Sequence, residues 1–188
     1  EQSVIDWVTN WFHMYNINSR VDRRVREYES VSVLGYSTIL AKLLDKIVGN
    51  GADKKKLPDM FLNGPTEFIQ GIVNGYFSGD GHVNYNNKVI VAVSISKQII
   101  DGLSYILNRL GIFGAITKQT PVQSTGYQQK HITYRLTIRS SWANKFKEQI
   151  TLINKPKNDN LQKLVGTNKH RNYETYNNSV LDPIVSIK

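Results

Sequence analysis

Three glycines, Gly71, Gly75 and Gly79, recur every fourth residue in FIQGIVNGYFSGDGHV (residues 68–83), a segment that otherwise reads as a helix. At 3.6 residues per turn they fall on one stripe. Each glycine costs a helix up to about 1 kcal/mol relative to alanine, so three in register require a compensating gain. Close approach of a second helix supplies one, because no side chain holds the two backbones apart. Asp80 and Gly81 follow at once, so a carboxylate stands at the end of the helix where two such helices would meet. A crossed pair would bring two carboxylates together, and divalent ions bridging them would relieve the like charge.

The surrounding elements repeat. Residues 98–111 place Ile99, Ile100, Leu103, Ile106, Leu107 and Leu110 on a helical rhythm closed by Gly111. Two strand-like stretches follow, FGAITKQT and KHITYRLTIRS, around a polar hairpin tip from Pro121 to Gln129, and then a helix from about Ser141, an N-cap candidate. The N-terminal third has the same order: a helix through Ile5, Val8 and Phe12, strand-like INSRVDRRV and YESVSVLG, and a helix starting at Ser37. Ahead of the second copy stand the glycine helix, 66–79, and a strand near 88–95. The chain therefore reads as α+β, one and a half copies of an αββαββα unit with the first incomplete. The expected divisions are 1–52 for the partial first repeat, 53–65 for a linker, 66–157 for the second repeat and 158–188 for a tail.

Charge narrows the partner. Twenty-four Lys and Arg against 15 Asp and Glu give a net charge of +9, which favours a polyanion. Without cysteine there is no disulfide, zinc–thiolate site or thiol nucleophile. No apolar run approaches the roughly 18 residues of a spanning helix. An intracellular, non-secreted protein is the expectation.

Residues 73–81, VNGYFSGDG, resemble the nonapeptide LAGLIDADG of the homing endonucleases, matching at Gly75, the apolar pair Tyr76 and Phe77, Asp80 and Gly81. Ser78 departs from the pattern, standing where the family often carries a first acid. The resemblance implies tandem αββαββα units whose antiparallel sheets form a DNA-binding saddle, with Mg²⁺ or Mn²⁺ as cofactor. It makes Asp80 a metal ligand and catalytic residue, with Gly79 beside it in the metal site. Lys55-Lys56-Leu57-Pro58 resembles the K-x-(I/L)-P segment ahead of the second motif in intein endonucleases, which implies that Lys55 approaches the active site. The corresponding lysine of the second copy falls on Lys155 or Lys157, and the sequence leaves both open. The tail YNNSVLDPIVSIK (176–188), through Asp182, Ile184, Val185 and Ile187, resembles the strand with which an intein's splicing domain resumes. No splicing nucleophile or terminal His-Asn pair is present, so the chain as given could not splice.

In the family's saddle one sheet face meets helices and the other meets DNA. Alternation then assigns Ile132, Tyr134, Leu136 and Ile138 to the core and His131, Thr133, Arg135 and Thr137 to DNA. In the preceding strand Val89, Val91, Val93 and Ile95 are expected inward, with Lys88 and Ser94 outward. Arg20, Arg24, Ser30 and Ser32 are the first-copy candidates. Lys118 and Lys130 add charge, and Gln123, Tyr127, Gln128 and Gln129 extend the hairpin's reach. The expected partners are double-stranded DNA and a second motif-bearing half, from an upstream segment, a separate chain or a second copy. Two other roles fit the same residues: a catalytically inactive binding module or RNA maturase, and a passive structural insert of an intein.

Overall fold

A computed structural model describes residues 2–25, 29–121, 131–166, 174–176 and 179–181; the side chains described are those of 2–24, 31–121 and 131–166. Helix α1 (Gln2–Met14) packs on an antiparallel pair, β1 (Ser19–Val25) and β2 (Glu29–Gly35), and α2 (Thr38–Val48) follows. Ser37 caps α2, its Oγ accepting from the Leu40 N–H at 3.2 Å. After the short α3 (Asp59–Leu62) come α4 (Thr66–Gly79), β3 (His82–Asn84), β4 (Val89–Ser94), α5 (Lys97–Arg109), β5 (Ala115–Gln119), β6 (Thr133–Arg139) and α6 (Ser140–Gln149). The run from α4 to α6 is αββαββα, and α1-β1-β2-α2 repeats its last four members. Then follow α7 (Lys155–Lys163) and a small pair, β7 (Glu174–Tyr176) and β8 (Ser179–Leu181).

The main sheet has the order β3-β4-β6-β5, all antiparallel. Its register sets which side chains go inward. Ile90 faces Ile138 and Ala92 faces Leu136, and all four are fully buried under α4, α5 and α6. Ile69, Val73 and Phe77 of α4 and Ile100, Leu103, Ile106 and Leu107 of α5 complete that core. The Phe77 and Phe146 rings meet edge to face with centroids 5.0 Å apart. This one cluster contains nearly all of the described burial.

The first part is thinly packed. Ile5 is its only buried hydrophobic residue among those described, and α2 exposes Ile39, Leu43 and Leu44. It is tied to the second part by the segment after α2. The Lys56 N–H donates to Val48 O at 2.9 Å, and the Ser96 hydroxyl donates to Lys55 O at 2.5 Å. Leu57 lies against Gly102, where a Cβ would stand 2.9 Å from the leucine's own.

Two expectations need correction. In β4, Ile90 and Ala92, not Val89, Val91 and Val93, point to the main core, because pairing with Ile138 and Leu136 fixes the alternation. Val89 and Val91 are also buried, but outside that cluster. Helix α6 starts one residue ahead of the expected cap, with Arg139 at the N-cap, no side-chain cap bond, and Ser140 at φ 56°. Helix α7, not among the elements expected from the sequence, is capped by Asn154 and anchored by Leu161. Among the described residues no helix is long and apolar enough to cross a membrane.

Candidate active site and DNA-facing sheet

Asp80 is exposed and forms the C-cap of α4 at φ −95°, ψ −7°, its N–H returning to Tyr76 O at 2.8 Å. The glycine after it is a steric requirement. A Cβ at Gly81 would lie 2.5 Å from the Phe77 Cα and 2.7 Å from its carbonyl oxygen, so only glycine lets the chain fold back along α4 into β3. The stripe itself faces outward. A Cβ at Gly71, Gly75 or Gly79 would meet nothing within 4 Å among the described residues, so the helix that would use this surface is not one of those described.

The opposite side of the same helix end is held tightly. Ser78 is buried, donates from Oγ to Asn74 Oδ1 at 2.9 Å, and accepts from the Ile153 and Asn154 N–H groups at 2.9 and 3.4 Å. The departure from the family nonapeptide is thus a link between α4 and the loop ahead of α7. Asn154 caps α7 by accepting from the Lys157 N–H at 3.1 Å. That start directs the Lys157 side chain to the end of α4, where Nζ donates to Ser78 O at 3.0 Å and Gly79 O at 2.6 Å, with Phe77 O at 3.5 Å. Lys155 is exposed, and its backbone N–H goes to Ser3 Oγ at 3.1 Å. Of the two lysines the sequence left open, Lys157 is the one at the helix end. Lys55 is exposed, its carbonyl held by Ser96 at the start of α5.

Tyr76 stands one turn before Asp80. Its hydroxyl donates to Val93 O at 3.2 Å, satisfying a carbonyl of β4 beyond the reach of β3, which pairs only with Val89–Val91. Burial first, and the Asp80 charge second, push its pKa up to about 12, against a smaller opposing hydrogen bond with Ser94. The phenol is neutral at physiological pH.

For a divalent ion, the Asp80 carboxylate and the Gly79 carbonyl are hard oxygen donors of the kind Mg²⁺ takes. Among the described residues no group of three or more His, Cys, Asp or Glu could hold a metal, so the donors fit in type and make up one side of a site.

On the sheet, Thr133, Arg135 and Thr137 lie on the face away from the core, in register with Gln119, Thr117 and Ala115 of β5 and, for the last two, with Val93 and Val91 of β4. His131 is exposed just ahead of β6. Ser94 and Lys118 are both in register with Tyr134, on the helix-side alternation, so neither shares the Arg135 face. The assumed β4 alternation suggested Ser94 and charge suggested Lys118; pairing removes both from that face. Lys88 belongs to the turn before β4, at φ 53°. The same pairing adds Thr117, Gln119 and Arg139, which sequence reading passed over, and the Thr133 hydroxyl donates to Gln119 Oε1 at 3.5 Å. In the small sheet Arg20, Arg24, Ser30 and Ser32 share one alternation, opposite the Val21 and Arg23 positions that border α1. Arg24 Nε pairs with Asp22 on that shared face at 2.8 Å. Gln123, Tyr127, Gln128, Gln129 and Lys130, with the tail positions Asp182, Ile184, Val185 and Ile187, lie outside the described residues.

Known proteins bear on this arrangement. A family model described as a LAGLIDADG-like domain matches residues 67–151. A DNA-directed RNA polymerase subunit, Rpo1C, of Methanocaldococcus jannaschii is 34% identical over 148 residues, 78% of this chain and 16% of that protein. From the same organism, the ATP-dependent DNA helicase Hel308 is 30% identical over 80% of this chain and 13% of its own length. A probable translation initiation factor IF-2 is 29% identical over 86% and 14%. The chain thus spans about a sixth or less of these relatives. Among solved structures, mesophilic variants of the homing endonuclease I-DmoI superpose with a TM-score of 0.57 at 15% identity, covering 80% of this chain and 72% of that one. I-DmoI in complex with DNA and Ca gives 0.56 at 14%, covering 77% and 64%. With its glycine-striped α4 ending in Asp80 and its αββαββα order, the chain carries a LAGLIDADG-like domain over residues 67–151 and has the homing-endonuclease fold.

Proposed function

We propose that this chain is part of a site-specific, metal-dependent DNA endonuclease that cuts both strands and resides as an insert within a host protein. The carrying observation is Asp80: an exposed carboxylate at the end of a helix whose glycine stripe is open to a second helix. A second motif-bearing helix on that stripe would bring a second carboxylate to Asp80. Asp80 and Gly79 O would hold one side of a divalent ion, which when bound supplies an activated water and neutralises charge on the leaving oxygen. Lys55, whose carbonyl is held by Ser96 ahead of α5, would supply a charge to the site, and Arg135, Thr137 and Thr133 would meet base edges and phosphates from the sheet. The solved complex of I-DmoI with DNA and Ca supports both partners by analogy of fold. An insert is supported by relatives whose activities are unrelated, an RNA polymerase subunit, a helicase and a translation factor, each sharing this segment over 13–16% of its length. A segment common to such hosts serves itself rather than any one of them.

The test is cleavage, by the complete protein, of a cognate site obtained by selection. With Mg²⁺ the wild type should cut both strands, and Asp80→Asn should bind the site without cutting it. Equal cutting by the two would remove Asp80 from the chemistry, and retention on DNA with no cutting by either would identify a binding module. DNA affinity that ignores salt would identify a passive insert, since each phosphate contact should lose about one power of salt concentration.

A further inference from the structure

Resting on that reading of Asp80 and Gly79, we propose that the Lys157 ammonium is an internal cation that occupies the metal-facing end of α4 until a divalent ion displaces it. The last carbonyls of a helix have no partner within it and carry the negative end of its dipole. Here Lys157 Nζ takes up that position, 2.6 Å from Gly79 O and 3.0 Å from Ser78 O. Its location is imposed rather than sampled. Asn154 starts α7, Pro156 occupies the first turn, and the Ile153 and Asn154 N–H groups are fastened to the buried Ser78 of α4 itself. The ammonium is therefore delivered by a braced helix to the same carbonyl that adjoins Asp80.

A divalent ion shared by Asp80 and Gly79 O would sit within a few ångström of this charge. At such a separation the repulsion between a 2+ ion and an ammonium amounts to roughly tenfold or more in affinity even in water. The two cations are alternatives. Lys157 holds the helix end together while the ion is absent and swings off Gly79 O when it arrives, free to face the phosphate that the ion engages.

The experiment titrates the chain with Mn²⁺ and follows paramagnetic broadening of the Gly79, Asp80 and Gly81 amides. Wild type should broaden there and Asp80→Asn should not. Lys157→Met should bind roughly tenfold more tightly, Lys157→Arg should stay near wild type, and the methionine variant should melt at a lower temperature without metal, having lost its cap. Unchanged or weaker Mn²⁺ binding by Lys157→Met, with Asp80→Asn still defective, overturns the internal-cation role and leaves the metal reading intact. Wild-type behaviour of Asp80→Asn removes both. A second measurement covers a poorly folded variant: in wild type the Lys157 Cε–Nζ signals should shift on saturation with Mg²⁺, and signals that stay in place overturn the proposal.

Discussion

Alanine in the glycine stripe should make this chain more stable. Gly71 and Gly75 lie inside α4, neither has positive φ, and the space where each Cβ would go is open. With no clash, what remains is the intrinsic gain of alanine over glycine, about 0.5–1 kcal/mol per site in a helix interior. The two sites do not touch, so Gly71→Ala/Gly75→Ala should gain about 1–2 kcal/mol. For a chain of this size each kcal/mol moves the melting temperature by about 2–4 °C, so the double variant should melt a few degrees higher. Calorimetry and urea denaturation at two protein concentrations provide the measurement. If a second motif-bearing helix packs on the stripe, as the proposed function requires, the same pair should do the reverse there and lower cleavage, because the methyl groups would push that helix away. If the variants destabilise the chain, and more so at high protein concentration, the stripe is occupied by a second copy in solution and the open-surface reasoning is wrong.

Raising the pH from 10 to 12 should cost stability through Tyr76. Below pH 10 folded and unfolded chains both keep the phenol proton; between 10 and 12 only the unfolded chain loses it, because the folded pKa is about 12. Two units set a ceiling of about 2.7 kcal/mol, which partial exposure brings to roughly 1 kcal/mol, and Tyr76→Phe should flatten that limb of a denaturation series. Ser78→Ala should lose about 1–2 kcal/mol in urea denaturation by removing an acceptor for the Ile153 and Asn154 N–H groups, with Asn74 still serving the former; unchanged stability would mean that the link contributes nothing. Arg135→Ala should weaken DNA binding, with a salt slope smaller by about 1 if it meets phosphate or relaxed base preference if it meets a base; Lys118→Ala, on the other alternation, should do neither.

Elements with a strong period were plain in the letters. The β6 alternation from Tyr134 to Ile138, the α5 rhythm and the start of α2 at Ser37 are each set by neighbours a few residues away, and the structure repeats them, while Ile132, just ahead of the strand, is exposed. The place of Asp80 at the end of α4 was legible because a costly glycine pattern pointed to it. The β4 orientation was not: VIVAV is apolar on both faces, so only the partner strand decides it. Helix α7 was hidden for the opposite reason, being polar nearly throughout and held by Leu161, a cap and the end of another helix 80 residues away. No local pattern could choose between Lys155 and Lys157, since that choice depends on where Asn154 starts the turn.

The brace at α7 also has a mechanical side. Beyond it, Lys147 holds Leu164 O at 2.9 Å, and Asn144 both donates to and accepts from Gly166, so the chain leaves this part at a fastened point. Tension applied to the following residues would meet those bonds first and α7 next. Through Lys157 and Ser78 the load would then reach the helix end that carries Asp80.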